Sequence, residues 1–120
     1  MNIRPMLAIA AVSALAGCAT TAPPPAAEEF VVGRAAIADA VSAGAAEHAP
    51  VILGRADDEF RRANAAMAAG RYRDARRFAQ DAEVDAQLAA SIARARRAEQ
   101  ALAQIDADVR ALQQQAPSLR

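Results

Sequence analysis

The sequence predicts an all-α fold: an antiparallel helical hairpin, extended to a three-helix arrangement, with a long C-terminal helix. Three observations carry this. Of 120 residues 37 are Ala, the best helix former, and Arg, Gln, Glu and Leu supply much of the remainder. Pro50 and Gly70 interrupt the chain where apolar stripes end, and no Gly or Pro follows Gly70 until Pro117. Between those breaks the apolar residues recur in alternating steps of 3 and 4, the period of one helix face.

The first segment reads as an address. Met1-Asn2-Ile3-Arg4 carries one positive charge, and the apolar run Met6 to Ala16 is interrupted only by Ser13. A bilayer-spanning helix needs about 20 residues. The run is shorter and suits the apolar core of a secretory signal peptide. Residues 1–17 are therefore expected to be removed, and 18–28 to form a tether. Pro23, Pro24 and Pro25 favour extended polyproline geometry there.

The helical domain is expected over 29–115, in helices of about 29–47, 50–69 and 71–115, with 116–120 as a tail. Glu28 and Glu29 stand where a helix N-terminus favours negative charge. Phe30, Ile37, Val41 and Ala45 form a first stripe with steps of 7, 4 and 4. Pro50 displaces Ala49 from helical geometry and suits the first turn of a new helix. In the second helix Leu53, Ala56, Phe60, Ala63 and Met67 step by 3, 4, 3 and 4. Asp57–Arg61 and Asp58–Arg62 have the i,i+4 spacing of favourable pairs on its other face. Gly70 tolerates the left-handed conformation that ends a helix.

A third helix over 71–115 would be about 68 Å long and the second only about 30 Å, at 1.5 Å per residue. The far half of the third helix carries its own seam: Ala98, Leu102, Ile105, Val109 and Leu112 step by 4, 3, 4 and 3. Without a partner in its own helix pair, this seam associates with another chain, folds back, or frays.

Composition bounds the chemistry. Hydrophobic residues are 54% of the chain, yet 37 of them are Ala and only 28 are larger. Seven of the 28 lie in 1–17; with Cys18 set aside, 20 are left for the mature chain, thin material for an enzyme core. One Cys and one His supply neither an internal disulfide nor a structural zinc site. Fourteen Arg balance fourteen acids, and a neutral chain is a poor nucleic-acid binder. Ser42 and Ser91 lie inside helical patterns with no base nearby in sequence. His48, at a helix junction, suits packing or capping better than catalysis. Asp57, Asp58 and Glu59 point in different directions around a helix, which argues against a cation site. The clusters Arg71, Arg73, Arg76, Arg77 and Arg94, Arg96, Arg97 offer phosphate-binding groups, the first diluted by interleaved acids, and read as solvated faces.

Three resemblances add to this reading. Leu15-Ala16-Gly17-Cys18 resembles the bacterial lipobox. The resemblance implies that Cys18 takes up diacylglycerol and becomes an acylated N-terminus. A single acyl chain holds a protein only marginally, whereas two or three anchor it firmly. Ala19 is not the Asp that favours inner-membrane retention, which implies the periplasmic face of the outer membrane. Gly70-x-Tyr72-x-x-Ala75 with Ala79 and Ala82 resembles the second half of one tetratricopeptide repeat, implying a hairpin turn in which Tyr72 packs across and the alanines permit close helix approach. More broadly, Ala45 to Pro50, Leu53, Ala56, Ala63, Gly70-x-Tyr72, Ala75, Ala79, Ala82 and Asp85-Ala86-x-Leu88-Ala89 resemble the lipoprotein family called domain of unknown function 4398. Its members are small, Ala-rich helical proteins of the bacterial envelope, where His48 is commonly Tyr. The resemblance implies location and no reaction.

The functional expectation is a non-enzymatic lipoprotein with no cofactor, tethered to the membrane through Cys18. It presents its long helix to an envelope protein or to a second copy of itself, through Leu102, Ile105, Val109 and Leu112. The alternative is a carrier of lipid or another small ligand, in a pocket between the helices or on the Arg clusters.

Overall fold

A computed structural model describes residues 26–115. These residues form four helices and no strand: α1 (Ala27–Ser42), α2 (Ala45–His48), α3 (Pro50–Ala68) and α4 (Tyr72–Gln115). The all-α expectation holds. The long helix α4 has 44 residues, and α1 and α3 both pack on its N-terminal half.

The first break differs from expectation. A single helix over 29–47 is expected, but α1 stops at Ser42. Gly44 adopts φ +89°, a left-handed conformation that a residue without a Cβ reaches at no steric cost. Its N–H donates to the Val41 carbonyl at 3.0 Å, while the Ala43 N–H donates to Asp39 at 2.8 Å. One short turn, α2, follows before Ala49 (φ −146°) redirects the chain into Pro50 at the start of α3.

The turn between α3 and α4 is a Schellman closure. Gly70 has φ +71°; its N–H donates to Met67 and the Arg71 N–H to Ala66, at 3.0 and 2.9 Å. Carbonyls left over at the end of α3 thereby find donors, and α4 starts antiparallel to it.

The core is built almost entirely of alanine. On α4 the buried residues are Ala75, Ala79, Ala82, Ala86, Ala89, Ala90 and Ala93; facing them on α3 are Leu53, Ala56, Ala63 and Ala66. From α1 and the following turn come Gly33, Ala40, Ala43, Ala45 and Ala49. Among the described residues Leu53 is the only large side chain in the buried set. Small residues at every crossing let the helix backbones approach, so that dispersion between backbones takes over much of the work of large side chains.

Two further expectations are corrected by this packing. In the first stripe Ala45 is buried and Phe30 and Ile37 are half-buried as expected, but Val41 is 54% exposed, and Gly33 and Ala40 are buried beside them. Small residues mark the inner face of α1, and Val31, Val32 and Val41 lie outside. The charge pairs on α3 also shift by one residue. Arg61 bonds Asp58, and Arg62 bonds Glu59 at 2.7 Å, both at i,i+3 rather than i,i+4. Arg62 is drawn toward the bundle, its guanidinium 4.3 Å from the centre of the Phe78 ring.

Candidate interaction surface

Three ion pairs and one capping bond lock α4 to its neighbours. Arg76 bonds Glu29 of α1 at 2.9 Å. Arg55 of α3 grips Asp85 through two bonds of 2.6 Å each. Arg94 bonds both oxygens of Asp39 of α1, at 2.6 and 2.7 Å. Arg97 donates to the Ala43 carbonyl at 3.3 Å, next to the Gly44 turn. The hydrogen bonds and charge of Asp85 raise the Arg55 pKa above the ordinary arginine value, with burial opposing slightly. Fork-to-fork geometry of this kind fixes the sliding register of two helices more than it adds stability at an exposed site.

These contacts use much of the two arginine clusters. Arg76, Arg94 and Arg97 are tied to other elements, Arg77 lies 5.2 Å from the Phe78 ring, and Arg96 pairs with Glu99 along the helix. The second cluster is thus a brace between α4 and α1, which sequence spacing does not disclose because Asp39 lies 55 residues away.

Arg97 reaches the turn between α1 and α2 through its bond to Ala43. Beyond it, every residue from Ala98 to Gln115 is exposed. The expected seam lies on this projecting half: Leu102 is 63% exposed, Ile105 56%, Val109 45% and Leu112 66%. All four stand on one face, and none is covered by the described part of the chain. The helix does not fold back.

The other expected site residues are distributed as follows. Gly70 makes the α3–α4 turn, and Ala75 is fully buried one turn into α4. Tyr72, expected to pack across the turn, stays half exposed; at the first position of α4 its ring stands outside the alanine contact. His48 ends α2, half-buried beside Gly44, where a Cβ would lie 3.6 Å from its Cδ2. Leu15, Ala16, Gly17 and Cys18 lie outside the described residues.

The depression lined by Phe30, Val31, Arg34, Ala35 and Ala38 is an open trough on one flank of α1. Among the described residues no group of three or more His, Cys, Asp or Glu could hold a metal ion. No described helix is long and apolar enough to cross a membrane.

The fold defines a class of protein: a helical hairpin zipped by alanine, braced by a third helix, with one helix projecting beyond the bundle. The chain belongs to the family described as Domain of unknown function (DUF4398), whose model matches residues 28–105. That span takes in all but the first residue of α1, all of α2 and α3, the Gly70 turn, and α4 as far as Ile105 in the projecting seam. No curated protein matches the chain, and no solved structure does.

Proposed function

We propose that this protein is a lipoprotein anchored through Cys18 to the periplasmic face of the outer membrane. In this reading it acts without catalysis, as a scaffold that offers the projecting half of α4 to a protein in the cell envelope. The observation that carries the reading is the row Leu102, Ile105, Val109 and Leu112, exposed on a helix that its own bundle leaves bare. Apolar side chains in a continuous exposed row mark an interaction surface more often than chance decoration. The Leu15-Ala16-Gly17-Cys18 tetrad after an apolar run supports the anchor. The core favours a scaffold too, because alanine-to-alanine contact gives rigidity while walling off little space for a substrate.

The anchor is tested by Cys18→Ser in a Gram-negative host. The parent chain is expected in the outer-membrane fraction, carrying label from a radioactive fatty acid; the variant is expected to lose the label and remain unprocessed. Equal processing and equal membrane recovery of the two would sink the anchor. The scaffold role is tested by Leu102→Asp with Ile105→Asp, which is expected to abolish cross-links to other polypeptides while leaving the amount of protein unchanged.

A further inference from the structure

The exposed row on α4 does not begin at the end of the bundle. Counting back from Leu112 in alternating steps of 3 and 4 gives Val109, Ile105, Leu102, Ala98, Ala95, Ser91, Leu88 and Val84. All nine positions are exposed, including Val84 and Leu88, which stand in the half of α4 that α1 and α3 cover. The row spans 29 residues, just over four heptads and about 42 Å at 1.5 Å per residue. A heptad pattern kept up for three or four repeats is the mark of a coiled coil.

With Leu88, Ala95, Leu102 and Val109 at the a positions and Val84, Ser91, Ala98, Ile105 and Leu112 at d, the buried alanines of α4 fall at b, c and f. The two faces are diametrically opposed. A helix laid along the a/d row would therefore lie opposite the alanine contact and reach α1 and α3 only at its margins, where Arg94 bonds Asp39 and Asp85 bonds Arg55. Ser91, the one polar member, already donates its hydroxyl to the Gln87 carbonyl at 2.8 Å, so covering it strands no donor.

Charge selects the occupant. The positions flanking the row carry Asp85, Glu99 and Asp106 at e, and Arg94 and Asp108 at g. Acids predominate there, whereas a helix that lies on anionic lipid carries basic residues beside its apolar face. In a parallel pair each g residue faces the e residue five positions on in the other helix. That rule sets Arg94, which bonds Asp39 through Nη2 alone and is 57% exposed, opposite Glu99 of a second copy, twice by symmetry; Glu99 would be shared with Arg96 of its own helix. It sets Gln87 against Ile92, Ala101 against Asp106 and Asp108 against Gln113, with no pair of like charges. An antiparallel pair centred on the 98–112 seam instead brings Glu99 against Asp106 twice, and one that uses the whole row sets Arg94 against Asp108 but Glu99 against the Glu99 of the other copy.

We propose that two copies of this chain associate in parallel along the whole α4 row from Val84 to Leu112, with α1 and α3 of each copy on the outside. This rests on the scaffold reading above and names its partner: a second copy of the same chain. Ala95 and Ala98 form the narrow middle of the contact, and the larger residues close it at both ends.

The test is disulfide trapping of the full chain in the host envelope, with Leu88→Cys and Val109→Cys made separately and the parent chain, whose single cysteine is Cys18, as blank. A parallel pair places both positions opposite themselves, so both variants are expected to yield covalent dimers under mild oxidation and the parent none. Adding Leu102→Asp and Ile105→Asp should lower each dimer yield about tenfold or more, since carboxylates would be desolvated in adjoining layers. Helix content by circular dichroism serves as the folding control, since both residues are exposed in the single copy. A dimer from only one of the two cysteines would overturn the parallel arrangement. If neither dimerises and a photoreactive residue at position 102 is joined to a different protein, self-association is refuted and the scaffold reading stands. If position 102 is joined to no protein, both are refuted.

Discussion

Gly33 of α1 lies against the Ala79 carbonyl of α4: a Cβ at Gly33 would stand 3.1 Å from that oxygen and 3.5 Å from the Phe60 ring. This is the tightest approach of the two backbones that a glycine makes possible here. The Phe30 and Phe60 rings, 5.5 Å apart, pack beside it and fill the space that small residues leave open.

Gly33→Ala sets two effects against each other. Alanine in a helix interior gains about 0.8–1 kcal/mol over glycine, while overfilling a closed contact costs about 1–3 kcal/mol. The obstructing atom is a backbone oxygen on a long helix, which yields less readily than a side chain. We expect net destabilisation of about 1 kcal/mol in denaturant unfolding. Gly54→Ala is the matched comparison, because nothing lies within 4 Å of a Cβ there. That variant should gain about 0.8–1 kcal/mol. Equal gains at the two sites would show that α1 does not seat on α4 through Gly33.

Gly70→Ala isolates a purely conformational cost. A Cβ there meets no atom within 4 Å, yet φ is +71°. An L-residue in that region costs about 1–2 kcal/mol, so the variant should lose about that much stability. Gly70→Asn should lose less, because asparagine tolerates the left-handed region better than alanine does. A midpoint unchanged by Gly70→Ala would mean that the α3–α4 turn is not closed as described.

The hairpin was legible in the sequence because its signals are backbone signals. Pro50 starts α3 and Gly70 ends it for reasons local to each residue. The row Leu53, Ala56, Phe60, Ala63 and Met67 also faces the bundle as its spacing implies. What was not legible is that Val41 stands outside while Gly33 and Ala40 turn inward beside Phe30 and Ile37. A search for large apolar residues selects Val41, but alanine and glycine line the inner contact here, so the larger valines mark the outside. Gly44 was missed because an isolated glycine within a helical pattern is tolerated about as often as it terminates one. The upper part of the α4 row escaped notice for a related reason. Ser91 and Ala95 interrupt its large side chains, and only the exposure of Val84 and Leu88 joins the two halves.

The alanine seam makes a sharper test of the core than any large residue does. Ala82 is fully buried between α4 and its neighbours, whereas Ala107 lies exposed on the projecting half, off the a/d row. Leucine and alanine have similar helix propensities, so a change to leucine reports packing and little else. Ala82→Leu is expected to destabilise by about 1–3 kcal/mol through forced separation of the helices. Ala107→Leu should stay within about 0.5 kcal/mol of the parent, as surface substitutions do. If both behave alike, the close contact of α3 with α4 is not what stabilises the fold.

Hydrogen exchange along α4 separates what the bundle holds from what a partner holds. From Tyr72 to Arg97 the helix is covered on one face and braced by Arg76, Asp85, Arg94 and Arg97, so its amides open only with the bundle. From Ala98 to Gln114 it runs 17 exposed residues beyond the cover of α1, α2 and α3. Helices of about 12–15 residues or fewer are marginal on their own, and this one has the bundle as its nucleus but nothing beyond. At low protein concentration, amides of 98–115 should therefore exchange much faster than those of 75–93, with a gradient rising toward Gln115. At high concentration, pairing along the a/d row should slow exchange over 98–112, because local opening would then require dissociation as well. Exchange that is equally slow in both halves of α4 in dilute solution would contradict the free projection. Exchange over 98–112 that ignores concentration would contradict self-association.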